Sequence, residues 1–135
     1  MDTLTLEENI GLALSLNHAD PHSVQQRVRA IAEELEIGEI LDKFPYQVSG
    51  GQKQRAACAR AMVAGQSLLL ADEPTGNLDP VTADGIMQLF QKIASQGCAV
   101  VMSTHNTALI ENYPARAVLF SKGKIREVDL KAELA

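Results

Sequence analysis

Two adjacent carboxylates follow a short apolar run in this sequence. Residues 68–71, Leu-Leu-Leu-Ala, lead directly into Asp72 and Glu73. The run predicts a buried strand, and ligands bind at the carboxyl ends of strands in open α/β sheets. Because successive strand side chains diverge, one carboxylate could hold Mg²⁺ through its water shell while the other polarises an attacking water. A solvated acidic turn is the alternative interpretation.

A second candidate site lies at the start of a predicted helix. Ser49 is a good N-cap residue, and Gln52 stands three positions later, where a capping box places it. Gly50 and Gly51 have no side chains, so the amide groups of the first turn would stay open to an anion. An ordinary loop followed by a helix cap is the alternative.

Two further polar residues stand where predicted elements meet. Asp79 followed by Pro80 predicts an N-cap and the first residue of a helix, and this structural role holds whatever else Asp79 does. His105 follows a second apolar run at residues 99–103, so its imidazole could reach a phosphate oxygen or a nucleophilic water. The alternative for His105 is a structural histidine at a strand end.

The remaining cysteines and histidines favour structural roles. Cys58 and Cys98 lie in apolar surroundings, which predicts buried, reduced thiols. His18 and His22 are four residues apart, but Pro21 between them breaks any shared helical face. We therefore expect a solvated loop there and no metal pair.

Two kinds of structure must position these side chains. Residues 4–44 have helical periodicity; we expect Ser23 and Gln26 to form the capping box that opens the second helix and Gly38 to end it. From residue 67 onward, apolar runs at 68–71, 99–103 and 117–120 alternate with helical stretches, the longest at 80–95. Such runs joined by crossover helices predict a parallel sheet covered on both faces. The tail at 122–135 predicts a turn and a short helical end.

Composition narrows the class of protein. The chain has 135 residues, 46% of them hydrophobic, which is ordinary globular composition. A net charge of −5 argues against a nucleic-acid binder. The longest apolar runs are far shorter than the ~20 residues that a membrane helix needs, and the acidic N-terminus is unlike a signal peptide. We therefore expect a soluble, cytoplasmic chain.

Taken in order and at this spacing, the motifs resemble the nucleotide-binding domain of ATP-binding cassette (ABC) proteins. Residues 48–52 are similar to the signature motif, 68–73 to the Walker B strand, 76–79 to the D-loop, and His105 to the switch histidine. Residues 72–79, Asp-Glu-Pro-Thr-Gly-Asn-Leu-Asp, resemble the subgroup that serves lipoprotein release, cell division, and macrolide or antimicrobial-peptide export. Residues 3–10 resemble the segment that follows the Q-loop.

The resemblance implies a fold and a set of roles. The fold would be α/β, the C-terminal part of the RecA-like ABC ATPase core of P-loop NTPases at residues 67–135, preceded by an α-helical signature subdomain at residues 1–66. Asp72 would hold Mg²⁺ through water, Glu73 would activate the attacking water, and His105 would contact the γ-phosphate of ATP. Asp79 would link two sites across a head-to-tail dimer. The signature residues would contact ATP bound to the opposite subunit, namely Ser49, Gly50, Gly51 and Gln52.

The resemblance also implies partners. They would be a transmembrane permease subunit and a second nucleotide-binding domain, with the protein on the inner face of the cell membrane and no nucleic acid involved. We therefore interpret the sequence as an ATP-hydrolysing subunit that drives transport through the permease. The alternative is a non-catalytic or soluble, non-transport ABC module that donates its signature motif to a partner.

One family motif is absent from the sequence. A P-loop needs Gly-x4-Gly-Lys-Ser/Thr, and the Gly123-Lys124 pair is followed by Ile125. The adenine-stacking aromatic residue and the Q-loop glutamine would also lie upstream of Met1. We therefore expect the chain to be the second half of a longer domain, with the strand at 99–103 unpaired along one edge. Alone, it should bind ATP weakly and hydrolyse little.

Overall fold

The computed structural model describes residues 2–17, 19–129 and 132. His18 and most of the predicted C-terminal helical end lie outside these residues. In chain order the elements are α1 (Leu6–Leu16), α2 (Pro21–Glu34), α3 (Gly50–Val63), β1 (Leu68–Asp72), α4 (Pro80–Ser95), β2 (Ala99–Ser103), α5 (Thr107–Asn112), β3 (Ala117–Ser121) and β4 (Lys124–Val128). No helix in the described ranges is long and apolar enough to cross a membrane.

The start of α2 differs from the prediction. Asp20 is the N-cap, and its side chain accepts a hydrogen bond of 3.1 Å from the Ser23 amide, while Pro21 is the first helical residue. The capping box predicted at Ser23 and Gln26 is therefore wrong. Proline has its φ angle fixed near the helical value and no N–H to satisfy, so an Asp-Pro pair starts the helix earlier.

The end of α2 also differs from the prediction, which placed the stop at Gly38. The helix ends at Glu34, and Glu36 adopts a left-handed φ of 60°. The Ile37 amide bonds to the Ala32 carbonyl at 2.8 Å, and the Glu36 amide bonds to the Glu33 carbonyl at 3.1 Å. This is the Schellman pattern, with glutamate in the position that glycine usually occupies. Gly38 instead begins a short 3₁₀ turn.

Helices α1, α2, α3 and α4 enclose one apolar core. Its most completely buried side chains include Ile10, Val28, Leu35, Ile86 and Ile93. The helical region predicted for residues 4–44 is thereby confirmed, as is α4, which occupies the stretch predicted at 80–95. Burial of such side chains contributes about 1.5–3 kcal/mol each, which makes this core the main source of rigidity for the helix ends described below.

The parallel sheet has two strands in the described part of the chain. β1 pairs with β2 in register, from Leu68 opposite Ala99 to Asp72 opposite Ser103. Leu69 is buried beneath the helices, whereas Leu70 is 71% exposed and Val101 is 56% exposed on the other face. The expectation of a sheet covered on both faces is therefore wrong for these residues. The reason is that α4 is the one crossover helix between β1 and β2, and a single crossover covers one face.

The third apolar run does not join this sheet. β3 pairs with β4 as an antiparallel hairpin. The turn has left-handed φ angles of 50° at Lys122 and 74° at Gly123, as a two-residue hairpin turn of the mirror-image type requires. The predicted turn is confirmed, but strand β4 was missed.

Candidate functional site

The carboxyl ends of β1 and β2 are joined through Ser103. Its hydroxyl donates a hydrogen bond of 2.5 Å to Asp72 Oδ1. The Glu73 amide donates to the Ser103 carbonyl at 3.1 Å and to the Ser103 hydroxyl at 3.2 Å. One residue of the neighbouring strand thus holds the Asp72 carboxylate and the backbone amide of Glu73.

Glu73 does not lie in the strand. β1 ends at Asp72, and Glu73 has a left-handed φ of 45°. Its carbonyl accepts from the Gly76 amide at 3.2 Å, which closes a tight turn before α4. The expectation that the two carboxylates diverge by strand alternation is therefore replaced by a turn that aims Glu73 separately. A left-handed conformation of a non-glycine residue costs of order 1–3 kcal/mol, and such conformations cluster at active sites.

Glu73 and His105 lie close together. His105 Nε2 is 3.5 Å from Glu73 Oε1, which is an ion pair only when the imidazole is protonated. The His105 side chain is 99% exposed and that of Glu73 is 37% exposed, yet the Oε1 atom itself is buried. Within the described residues this buried oxygen accepts no hydrogen bond. It is an unsatisfied buried acceptor beside an exposed imidazole, and an atom of this kind calls for a partner such as a water or a ligand.

The loop after β2 presents His105 to solvent. Asn106 caps α5 by accepting from the amides of Ala108 and Leu109 at 3.1 and 3.3 Å, and its own amide donates to the Thr104 hydroxyl at 3.0 Å. His105 stands between these two fixed residues. His105 thus lies exposed beside Glu73, and its contact with a phosphate stays a prediction.

The predicted cap of α3 is confirmed. The Ser49 hydroxyl accepts from the Gln52 amide at 3.2 Å, and the Gln52 side chain accepts from the Ser49 amide at 2.9 Å. The amides of Gly50 and Gly51 belong to the first helical turn, where no intrahelical acceptor exists. The positive end of the helix dipole lies at the same point, so this helix start suits an anion.

The structure also explains both glycines in a way the sequence did not indicate. A Cβ on Gly51 would lie 2.4 Å from Thr82 Cγ2, and a Cβ on Gly50 would lie 3.0 Å from Leu78 Cδ2. The start of α3 therefore packs directly on the segment that leads into α4. Besides leaving amides open, the glycines permit this close approach.

Asp79 caps α4, as predicted. Asp79 Oδ1 accepts from the Thr82 hydroxyl at 2.5 Å, and Oδ2 accepts from the Thr82 amide at 3.1 Å. Both hydrogen bonds lower the pKa of the Asp79 carboxyl below its usual 3.8, and the bond from the Thr82 hydroxyl has the larger effect. The carboxylate is consequently charged at neutral pH and sits at the positive end of the α4 dipole.

Comparison with known proteins identifies the family. The family described as "ABC transporter" matches residues 1–76, which include the capped start of α3 and both carboxylates of the β1 end. This chain belongs to the ABC transporter family. The bacitracin export ATP-binding protein BceA of Halalkalibacterium halodurans is 39% identical to it over 126 residues. That alignment covers 93% of this chain and 49% of the relative.

Two further similarities bear on subgroup and fold. The lipoprotein-releasing system ATP-binding protein LolD 2 of Caulobacter vibrioides is 41% identical, covering 87% of this chain and 52% of the relative. A solved ABC transporter in an inward-facing conformation shares the fold, with a TM-score of 0.85 at 22% identity over 95% of this chain and 53% of that one. The subgroup and the ABC ATPase fold expected from the motifs are thus confirmed. The chain spans about half the length of the curated relatives it matches.

Three residues that hold these elements in place were not predicted from the sequence. Ser103 was considered only as the end of the apolar run at 99–103, and Thr82 was not singled out. Arg55 was also missed; its guanidinium donates to the Leu35 carbonyl at 3.1 Å and lies 3.8 Å from Glu36 Oε2, tying α3 to the end of α2. The positions opposite β1 could have indicated Ser103, because a polar residue ends both paired strands.

Neither cysteine is a candidate nucleophile in the site. Both are free in the structure, with Cys58 buried and Cys98 half-buried, so the predicted burial is confirmed for Cys58 alone. Burial raises the pKa of the Cys58 thiol to about 11, against a smaller opposing effect of Arg55. The thiol is therefore protonated and unreactive at neutral pH, although it lines a cleft of about 460 Å³ that reaches Asp72.

The Asp72 carboxylate at the β1 end fits the Mg²⁺ that the family implies. No cluster of three or more potential ligands occurs among the described side chains, so the protein offers no complete metal cage. Mg²⁺ needs none, because it keeps several waters and is usually held by one or two carboxylates together with substrate phosphates. The exposed Asp72 carboxylate is a ligand of that kind.

Proposed function

We propose that the protein carrying this chain is the ATP-hydrolysing subunit of an ABC transporter, which couples hydrolysis to transport through a membrane permease. The observation that carries the proposal is the grouping at the β1 end. There, Asp72 is oriented by Ser103, and Glu73 places a buried, unsatisfied Oε1 atom 3.5 Å from His105. Family membership supports ATPase activity for the family as a whole.

Each group at the β1 end has a distinct proposed role. Asp72 would hold Mg²⁺ through water, and the ion would supply charge neutralisation between the phosphates. Glu73 would accept a hydrogen bond from the attacking water at Oε1 and so orient it as a general base. His105, whose side chain is exposed, would donate to the γ-phosphate. Positioning of this kind accounts for most of the catalysis in phosphoryl transfer.

The capped start of α3 would serve a second ATP. Ser49, Gly50, Gly51 and Gln52 would contact the nucleotide of the opposite subunit, with first-turn amides facing its phosphates. Asp79 would connect the two sites, since its helix start packs on the signature glycines through Leu78 and Thr82. The assembly would then be a head-to-tail dimer bound to a permease, on the inner face of the membrane and without nucleic acid. Residues 1–66 would form the signature subdomain and 67–135 the core segment.

The 135-residue chain would need a P-loop from outside its own sequence. That motif is absent from the sequence, so phosphate binding would depend on an additional segment. We expect titration of the isolated chain with ATP and Mg²⁺ to show weak binding and little hydrolysis. Micromolar affinity in that titration would contradict this part of the proposal.

The function is tested by Glu73→Gln in an assembly that links this chain to an upstream P-loop segment, called here the P-loop assembly. The substitution keeps the shape but removes the charge, so hydrolysis should fall by about 10²–10⁴-fold while the ATP-bound dimer persists. Glu111→Gln, an exposed change on α5, is the matched control and should hydrolyse normally. Unchanged turnover in Glu73→Gln would contradict the proposal.

A non-catalytic module would give a different result. It would show no hydrolysis of its own in the P-loop assembly, yet it would stimulate an ATP-binding partner through Ser49, Gly50 and Gly51.

A further inference from the structure

We propose that Ser103 is a positioning residue for hydrolysis: its hydroxyl fixes both the Asp72 carboxylate and the backbone of Glu73. The inference rests on the proposed function, because it concerns the same two carboxylates. Ser103 itself would touch neither the metal nor the nucleotide. It would act by fixing the orientation of the Asp72 carboxylate and of the Glu73 backbone.

A single hydroxyl makes both contacts. Its proton is donated to Asp72 Oδ1 at 2.5 Å, and its oxygen accepts from the Glu73 amide at 3.2 Å. A hydroxyl has one donor and two acceptor sites, so the two contacts fix its rotation. The parallel register that pairs Asp72 with Ser103 brings these groups together across 31 residues of sequence.

The Asp72 carboxylate needs such a partner. Asp72 is exposed, and within the described ranges the Ser103 hydroxyl is the hydrogen-bond donor recorded for its side chain. A neutral donor orients the carboxylate and leaves its negative charge in place. A lysine or arginine at the same position would cancel the charge that a cation requires. Serine therefore suits a carboxylate that must be both oriented and ionised.

The Glu73 backbone needs the same partner for another reason. Its φ of 45° is a left-handed conformation that persists only where surrounding contacts hold it. The Ser103 carbonyl accepts a hydrogen bond of 3.1 Å from the Glu73 amide, and the Ser103 hydroxyl is a second acceptor for the same N–H. Removing the hydroxyl leaves the strand pairing intact but loosens the turn that aims Oε1 of Glu73.

The inference predicts a defect in turnover more than in nucleotide binding. Misplacement of catalytic groups lowers kcat, whereas KM changes when binding common to ground and transition states is lost. Ser103→Val in the P-loop assembly should lower kcat by roughly 10- to 100-fold with little change in the KM for ATP. Ser103→Thr keeps the hydroxyl in a side chain of the same shape as valine, so it should restore kcat. Ser121→Val, at the exposed end of β3, is the control for a valine at a strand end.

A second measurement needs no activity. In the 135-residue chain, amide hydrogen exchange at Glu73 should be about fivefold faster in Ser103→Val than in Ser103→Thr, because one acceptor is lost. Equal exchange in the two variants, or equal kcat, would overturn the inference. If the unmodified P-loop assembly does not hydrolyse ATP, the proposed function fails, and the exchange measurement still decides the role of Ser103.

Discussion

Gly51 of α3 lies directly against Thr82 of α4, so closely that a Cβ at position 51 would lie 2.4 Å from Thr82 Cγ2. Thr82 cannot easily move away, because both its hydroxyl and its amide are bonded to Asp79. The start of α3 and the cap of α4 therefore form one packed unit. This contact decides how the two helix starts sit relative to each other.

We expect Gly51→Ala to destabilise the chain. Overpacking costs about 1–3 kcal/mol, and only up to about 1 kcal/mol returns through the better helix propensity of alanine. The urea midpoint of unfolding, followed by circular dichroism, should therefore fall. Gly85→Ala is the matched control within α4, since its Cβ would lie 3.4 Å from Arg55 Nη2, which is close to an ordinary contact distance.

The cause is tested by relieving the contact. Thr82→Ser removes Cγ2 but keeps the hydroxyl bonded to Asp79, so it should reduce the cost of Gly51→Ala in the double variant. If the two substitutions prove additive, the contact with Cγ2 is not the reason for glycine at position 51.

Asp79 should make the free energy of unfolding depend on pH in the acid range. Its pKa is lowered in the folded state by hydrogen bonds from Thr82, so its contribution is present above the ordinary pKa of 3.8. The contribution is lost as the pH falls through the lower, folded value. Asp79→Asn keeps a capping side chain without the charge, and Asp79→Ala removes the cap.

Urea titrations between about pH 3 and pH 7 separate these effects. At neutral pH the urea midpoint should be lowered by Asp79→Ala and lowered less by Asp79→Asn. On acidification the midpoint of Asp79→Asn should fall less than that of the parent chain. A decline in Asp79→Asn as steep as in the parent chain would assign the acid sensitivity to other carboxyls.

Helix starts were the part of the fold that local sequence could predict best. Ser49 with Gln52, and Asp79 with Pro80, satisfy backbone groups within four residues, so their roles need no knowledge of the rest of the chain. The start of α2 was missed because Asp20-Pro21 and Ser23-Gln26 are competing signals, and the proline decided between them. The end of α2 was missed because Glu36 occupies a glycine-like position.

Contacts between distant elements could not be predicted in the same way. The hydrogen bond from Ser103 to Asp72 depends on the register of two strands, and the approach of Gly51 to Thr82 depends on how α3 packs on α4. The left-handed turn at Glu73 is held by hydrogen bonds to Ser103 and from Gly76, and the first of these also depends on the pairing of the two strands. The two carboxylates could therefore be predicted from the sequence, whereas the contacts of Ser103 with Asp72 and with the Glu73 amide could not.

Cys58 should make the chain less stable at alkaline pH. Its folded pKa of about 11 lies above the ordinary 9.0, so the native state retains the proton. The stabilisation is fully present below pH 9 and is lost as the pH rises towards 11. A shift of this size corresponds to at most about 2–3 kcal/mol of unfolding free energy.

Chemical denaturation across this range measures the effect. Cys58→Ala should remove most of the alkaline loss, whereas Cys98→Ala, at the half-buried thiol, should retain it. A thiol reagent at neutral pH should also modify Cys98 well before Cys58. Equal alkaline losses in the two variants would show that other groups are responsible.

The exposed face of the β1–β2 sheet should cause the 135-residue chain to self-associate. Leu70 and Val101 stand next to one another on this face, 71% and 56% exposed, and paired apolar strands with open edges promote association. Leu70→Thr with Val101→Thr places β-branched residues, which suit strands, at both positions, so the free energy of unfolding should change by less than about 1 kcal/mol. Light scattering during size-exclusion chromatography over a dilution series should show a shift towards monomer. Val81→Thr, at a position 82% exposed on α4, is the control and should leave the association unchanged. If Val81→Thr reduces association as much as the double substitution in the sheet, the sheet face is not the contact.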